Sequence, residues 1–202
     1  MRWIGLTGGI ACGKSTVSRL LKNHSIPIID ADEIAHEVVR PASPGLKSVV
    51  HHFGNEVLNE DGSLNRRKLG QLVFGHPEKL KALESILHPL IRAETQRRRQ
   101  VLLDMNAPLA IYDIPLLFET HAQDQFDAIV VVTCTKEQQK ERLRRKNGWS
   151  EDEIDMRIAS QIPTQFKEKE ADFILENNRD EQHLLKEFHR LLAWLEEQKK
   201  QT

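Results

Sequence analysis

The sequence predicts an α/β fold, a mainly parallel sheet flanked by helices and interrupted by a long helical insertion. Three observations carry that reading. Short apolar runs rich in β-branched residues alternate with segments of helical periodicity. A glycine-rich turn, Gly8 to Gly13, joins the first such run directly to the first helical segment. Between Ala31 and Met105 there is no convincing strand, only helical patterns punctuated by Pro41, Pro44, Gly54, Gly62, Gly75, Pro77 and Pro89.

Taken in order, Arg2 to Leu6 is the first expected strand and Lys14 to Asn23 its helix. Pro27 to Asp30 is a short second strand, and Glu33 to Arg40 opens the insertion as a helix. Leu109 to Asp113 and Ala128 to Val132 are nearly continuous apolar runs, as expected of strands covered on both faces. Lys136 to Lys169 is dense in charge and breaks at Asn147-Gly148. Ser150 with Glu153 then forms a capping-box pattern that starts another helix. That interval is expected to form a helix–turn–helix suited to a mobile lid. Asp172 to Leu175 is the last strand. Asp180 caps a closing helix to Gln198, with Leu184, Leu185, Phe188, Leu191, Leu192 and Leu195 at helical spacing.

Composition narrows the function classes. At 202 residues, 39% hydrophobic and 29% charged, the chain can bury one substantial core with small appended subdomains. A net charge of −1 gives no general reason to expect a nucleic-acid or membrane partner. No apolar run approaches the length of a bilayer span, and Gly8 to Lys14 interrupts any signal-peptide pattern. Cys12 and Cys134 make no disulfide framework and are expected to be reduced thiols of a cytoplasmic protein. The histidines show no metal-ligand spacing, so no structural metal is expected.

The turn itself carries the chemistry. Gly8, four residues, then Gly13-Lys14-Ser15, with a strand before and a helix after, is the pattern of a phosphate-cradling loop. Glycines let the backbone bring N–H groups onto phosphate oxygens, and the following helix aims its positive end at the same anion. Lys14 is then a mobile charge for the β- and γ-phosphates, and the Ser15 hydroxyl a ligand for Mg²⁺. The loop predicts binding of a nucleoside triphosphate. Phosphoryl transfer also needs a carboxylate near the acceptor, and Asp32, at the carboxyl end of the second strand, is the candidate. The competing reading is that Asp30 or Asp32 merely caps the next helix. Asp113 is a second strand-end carboxylate, able to support the metal or simply to form a turn. Arg142 and Arg145, three apart on one helix face, are candidates for neutralising the transferring phosphoryl, against the alternative of a solvated basic face. Arg97-Arg98-Arg99 reads as a solvated helix face, with a contribution to binding an anionic small molecule also open.

With that loop, Asp30-Ala31-Asp32, His88-Pro89-Leu90-Ile91-Arg92, Pro115-Leu116-Leu117-Phe118-Glu119 and Ala171-Asp172-Phe173-Ile174-Leu175-Glu176-Asn177 in this order, the chain closely resembles the dephospho-CoA kinase family from Arg2 to the terminal helix. The resemblance implies a P-loop NTPase fold of nucleoside-monophosphate-kinase type, with a parallel five-stranded sheet. It implies a nucleotide-binding core over 1–31, 106–137 and 163–202, a helical CoA-binding domain over 32–105 and a lid over 138–162. The implied activity moves the ATP γ-phosphoryl to the ribose 3′-hydroxyl of dephospho-CoA, giving CoA and ADP. By the same likeness, Gly8, Gly9, Ile10, Ala11, Cys12, Gly13, Lys14, Ser15 and Thr16 bind the ATP phosphates. Asn177 lies where adenine is expected, and Asp32 is the acceptor-side carboxylate. His88, Arg92, Leu116, Leu117 and Glu119 belong to the acceptor site, and Arg142 and Arg145 are lid arginines. Cys12 stands where Gly or Ser would be unsurprising, which makes the loop open to oxidation.

Other functions predict other features. A kinase for a nucleoside monophosphate, shikimate or gluconate differs only in the acceptor turned over. A GTP-dependent switch wants Asn-Lys-x-Asp, and Asn177-Asn178-Arg179-Asp180 lacks the lysine. A nucleic-acid module predicts steep salt dependence of binding, which the near-neutral charge does not support.

Overall fold

Parallel pairing around the first strand organises the structure, a computed structural model that describes residues 1–200. Gln201 and Thr202, the end of the expected core segment, lie outside the described residues. The elements are β1 (Arg2–Gly8), α1 (Lys14–Asn23), β2 (Ile28–Asp30), α2 (Ala31–Glu37), α3 (Pro44–Phe53), α4 (Arg66–Val73) and α5 (Pro77–Asp104). They continue with β3 (Leu109–Asp113), β4 (Ala128–Thr133), α6 (Lys136–Asn147), α7 (Glu151–Ala159), α8 (Thr164–Lys169), β5 (Phe173–Glu176) and α9 (Glu181–Lys199). Among the described residues the sheet has five strands in the order β2-β3-β1-β4-β5. The β3–β1, β1–β4 and β4–β5 pairs are all parallel.

The connection from the carboxyl end of β1 runs through α1 to β2 on one side, and that from β4 runs to β5 on the other, so the strand order reverses between β1 and β4. A crevice at such a point is where open α/β sheets bind ligands. Gly8, Asp113, Thr133 and Glu176 end their strands along that one edge. β1 extends beyond its expected end at Leu6, because Thr7 and Gly8 pair with Val131 and Val132.

The chain divides into two compact units, one of Met1–Ile29 with the chain from Leu102 onward, the other Asp30–Val101. The first is built on the sheet. Ile4, Leu6, Val130 and Val132 pack with Val17 and Leu21 of α1 and with Leu184, Phe188, Leu191 and Leu195 of α9. Burying each large apolar side chain contributes about 1.5–3 kcal/mol. All six residues of β4 are buried, as its unbroken apolar run requires. Beyond β4, the capping box is present as read: Ser150 and Glu153 bond reciprocally at the start of α7.

The second unit is helical and has its own small core of Val39, Leu46, Val49, Val57 and Leu69. Ser43 caps α3, with Pro44 in its first turn. Three expectations change here. α2 starts at Ala31 rather than Glu33, because the Asp30 carboxylate accepts the Asp32 and Glu33 amides and so nucleates the helix earlier. Pro89 does not end a helix but lies inside α5. A proline there removes one intrahelical bond, and 28 residues of otherwise continuous helix carry the loss. Nor is the arginine triplet simply a solvated face. Arg98 is only 22% exposed and meets Glu33, Glu37 and Glu94, while Arg97 grips Glu94 with two bonds of 2.8 Å.

Candidate functional site

The glycine-rich turn is a built structure, held at both ends by side chains. Gly8 is needed for close approach, since a Cβ there would lie 2.5 Å from the Val132 carbonyl oxygen. Gly13 is needed for its backbone, at φ 97 immediately before α1. Ala11 is also left-handed, at φ 59, a conformation that costs a residue with a Cβ about 1–2 kcal/mol. That strain is held by Arg142, whose guanidinium donates to the Ala11 carbonyl at 3.2 Å and the Asn177 carbonyl at 2.9 Å. The buried Asn177 side chain donates its carboxamide N–H to the Cys12 carbonyl at 2.8 Å. Gln139 donates to the Ile10 carbonyl, and Gln161 accepts from the Ile10 amide, both at 2.8 Å.

With the loop so held, the amides of Ala11, Gly13, Lys14 and Ser15 donate to no acceptor among the described residues. Four unsatisfied N–H groups at the start of a helix form a ready anion site. They suit the phosphates of a nucleotide. A cavity of about 610 Å³ is lined by Cys134, Gln139, Gln161, Thr164, Glu176 and Asn178, two of which hold Ile10.

Lys14 begins α1, and Ser18 lies one turn on, facing the same way. Both bond to the carboxylate of Asp113, which is 2% exposed. Asp113 is therefore no spare strand-end turn former, and its two oxygens are engaged by protein donors. Ser15 is exposed, and its hydroxyl has no partner among the described residues. A hard divalent ion needs oxygen donors, and Ser15 with phosphate oxygens and water supplies that set better than Asp113 does as it stands.

The remaining candidates separate by placement. In the helical unit, Asp30 takes the capping role, leaving Asp32 exposed on the first turn of α2 with its carboxylate free of that task. The charge of Asp32 opposes the burial that lowers the pKa of Arg66. His88 and Arg92 are four apart on α5, both exposed, and so share one helix face. In the sheet unit, Leu116 is 46% exposed while Leu117 is wholly buried. Leu117 packs with Phe118, Ile129 and Val131, so it belongs to the core and presents no surface to an acceptor. Glu119 turns inward: its Oε1 accepts from Lys167 at 2.7 Å and from the Ile162 amide at 3.1 Å. Arg142 and Arg145 do not act alike, because Arg145 is exposed while Arg142 is engaged with the loop.

Cys12 and Cys134 are both buried, with sulfurs 3.0 Å apart. The hydrogen bond from Cys134 lowers the Cys12 pKa, while the same bond and burial raise that of Cys134. Sequence reasoning missed Gln139, Gln161, Lys167 and Ser18. Gln139 and Ser18 were findable, three residues before Arg142 and four after Lys14 on the same helix faces. Gln161 and Lys167 carry no such signal, being a lone amide and a lone lysine in polar surroundings.

Comparison with known proteins places this loop among kinases. The dephospho-CoA kinase family model matches residues 2–183. A dephospho-CoA kinase of Bdellovibrio bacteriovorus is 72% identical over 202 residues, all of both chains. A solved structure from Thermus thermophilus superposes with a TM-score of 0.80 at 33% identity, covering 96% of this chain and 97% of that one. A dephospho-CoA kinase from Campylobacter jejuni gives 0.72 at 30% identity, covering 96% of both. The phosphate loop, the parallel sheet that presents it and these end-to-end likenesses agree: this chain is a P-loop kinase that belongs to the dephospho-CoA kinase family.

Proposed function

We propose that this enzyme transfers the γ-phosphoryl of ATP to the ribose 3′-hydroxyl of dephospho-CoA, releasing CoA and ADP. The observation that carries the reading is the loop itself, whose four open amides stand beside Lys14 at the carboxyl edge of the sheet. ATP phosphates take those amides, and Lys14 exchanges Asp113 for the phosphates. Such transfer is mostly positioning and charge neutralisation, and the chain's parts follow from that. Asp32 orients the acceptor hydroxyl and accepts its proton. Arg142 steadies the loop, and Arg145 is the free lid cation for the transferring group. When bound, Mg²⁺ neutralises the phosphate oxygens, with Ser15 as its protein ligand and Asp113 next in line once Lys14 has moved. Asn177 borders the adenine side. His88, Arg92 and Leu116 bind the acceptor, with Leu117 and the inward-turned Glu119 supporting that side of the site from within. Residues 32–105 serve as the CoA-binding domain and 138–162 as the lid. No described helix is long and apolar enough to cross a membrane, and the free thiols support a reducing, cytoplasmic setting.

A coupled ADP-release assay tests this, with dephospho-CoA beside shikimate, gluconate and nucleoside monophosphates. Turnover confined to dephospho-CoA is expected. Turnover on another acceptor with none on dephospho-CoA would overturn it.

A further inference from the structure

Lys167 is an unusual lysine. Its side chain is wholly buried, at 0% exposure, and its ammonium group meets Glu119 Oε1 at 2.7 Å. Lysine is almost never fully buried unless paired, and desolvating both charges offsets most of what the pair gains. The pair is therefore poor evidence of a purely stabilising role. What it accomplishes is positional. The same Oε1 accepts the Ile162 amide at 3.1 Å, and the other oxygen, Oε2, is buried without a partner. Glu119 is thus held in place by Lys167, and it in turn holds the backbone at Ile162.

One residue earlier, the Gln161 carboxamide oxygen accepts the Ile10 amide of the phosphate loop at 2.8 Å. Gln161 and Ile162 follow α7, where the chain returns from the lid interval to α8. A single dipeptide is therefore fastened on one side to the ion pair and on the other to the apex of the loop. We propose that Lys167 is a positioning residue for nucleotide binding, acting through Glu119 and Ile162 to set the Gln161 side chain that orients the Ile10 peptide. This deepens the kinase reading and rests on it for its consequence, ATP affinity, but the relay has a readout of its own.

The test is a double-mutant cycle between residues that share no direct bond. ATP affinity is measured by calorimetry, with the Ile10 amide followed by ¹⁵N NMR and melting recorded alongside. Gln161→Ala, at a partly exposed position, is expected to weaken ATP binding about fivefold, the worth of one hydrogen bond, with melting nearly unchanged. Lys167→Met should shift the Ile10 amide in the same direction and weaken ATP similarly, while lowering the melting temperature. Combining the two should weaken binding no further than either alone, because both cut one chain of contacts. Lys167→Met with Glu119→Gln should regain ATP affinity, since the carboxamide oxygen still accepts from Ile162 and no charge is stranded. This variant also serves if Lys167→Met fails to fold, with Gln161→Ala added to it to test whether the Gln161 effect persists. Multiplying effects, an unmoved Ile10 amide in the Lys167 variants, or tighter ATP binding by Gln161→Ala would overturn the proposal. Tighter binding would make Gln161 a competitor of phosphate. Absence of dephospho-CoA turnover in the unaltered enzyme would refute the kinase reading instead and leave the Ile10 signal to decide the relay.

Discussion

Lys14→Ala should injure the enzyme in two separable ways. Lys14 is 17% exposed and its partner Asp113 only 2%, so removing the lysine strands a buried carboxylate. Breaking a buried pair from one side costs about 3–5 kcal/mol, and because Ser18 still donates to Asp113 the lower end applies. At about 2–4 °C per kcal/mol for a chain of this size, a loss of about 3 kcal/mol lowers the melting temperature by roughly 6–12 °C. Separately, losing one preorganised donor to transition-state charge costs about 10²–10³ in turnover. Adding Asp113→Asn removes the stranded charge while keeping an acceptor for Ser18. The double variant should regain most of the melting temperature and none of the turnover. Scanning calorimetry and coupled ADP release on the same preparations read the two effects. Unchanged melting in Lys14→Ala would refute the pairing, and turnover within tenfold of the unaltered enzyme would refute the phosphate role.

Other expectations follow from single contacts. Asp32→Asn should collapse turnover while leaving ATP binding nearly intact, because Asp30 alone caps α2; wild-type turnover would show that Asp32 is dispensable. Glu94 has its pKa lowered from 4.5 to about 2, chiefly by hydrogen bonds from Arg97 and then Arg98. A depressed carboxylate stabilises the fold above its ordinary pKa and loses that contribution as pH falls from 4.5 toward 2. With the side chain 22% exposed, solvent screening reduces the effect to about 1 kcal/mol, so Glu94→Gln should melt lower at pH 7 and match the parent near pH 2. Hydrogen peroxide should join Cys12 to Cys134, the two thiols giving up their hydrogens as peroxide becomes two waters, and dithiothreitol should reverse it. Mass spectrometry showing only separate sulfinic acids would contradict that contact. With residues 138–162 closing as the proposed lid to exclude water, hydrolysis of ATP without acceptor should stay slow; rapid acceptor-free release of phosphate would count against closure.

What was legible in the sequence was whatever repeats a local rule. The loop spacing, the buried runs of β3 and β4, the Ser150 capping box and the leucine stripe of α9 each state their structure within a few neighbouring residues. Boundaries slipped where a partner distant in sequence decides them: β1 continues through Thr7 and Gly8 because β4 is there to pair with. Pro89 misled for the opposite reason, since a long helix tolerates a lost bond that a short one would not. Within the site, residue type indicated the chemistry but not what each residue touches. Asp113 read as a metal supporter or a turn former, and nothing in the sequence hinted that its carboxylate pairs with Lys14 and Ser18. Arg142 and Arg145 share a helix face in the sequence pattern, yet only Arg142 reaches the loop. The grips on Ile10 and the Lys167–Glu119 pair join segments more than forty residues apart, and no periodicity records such contacts.

The most direct measurement of the central claim follows the phosphoryl group itself, using γ-labelled ATP and dephospho-CoA. The account predicts one label carried to the 3′-position of the CoA product for each ADP formed, and no label in Lys14→Ala or Asp32→Asn products above trace. Label found only in inorganic phosphate, or equal transfer by the Lys14 variant, would contradict it.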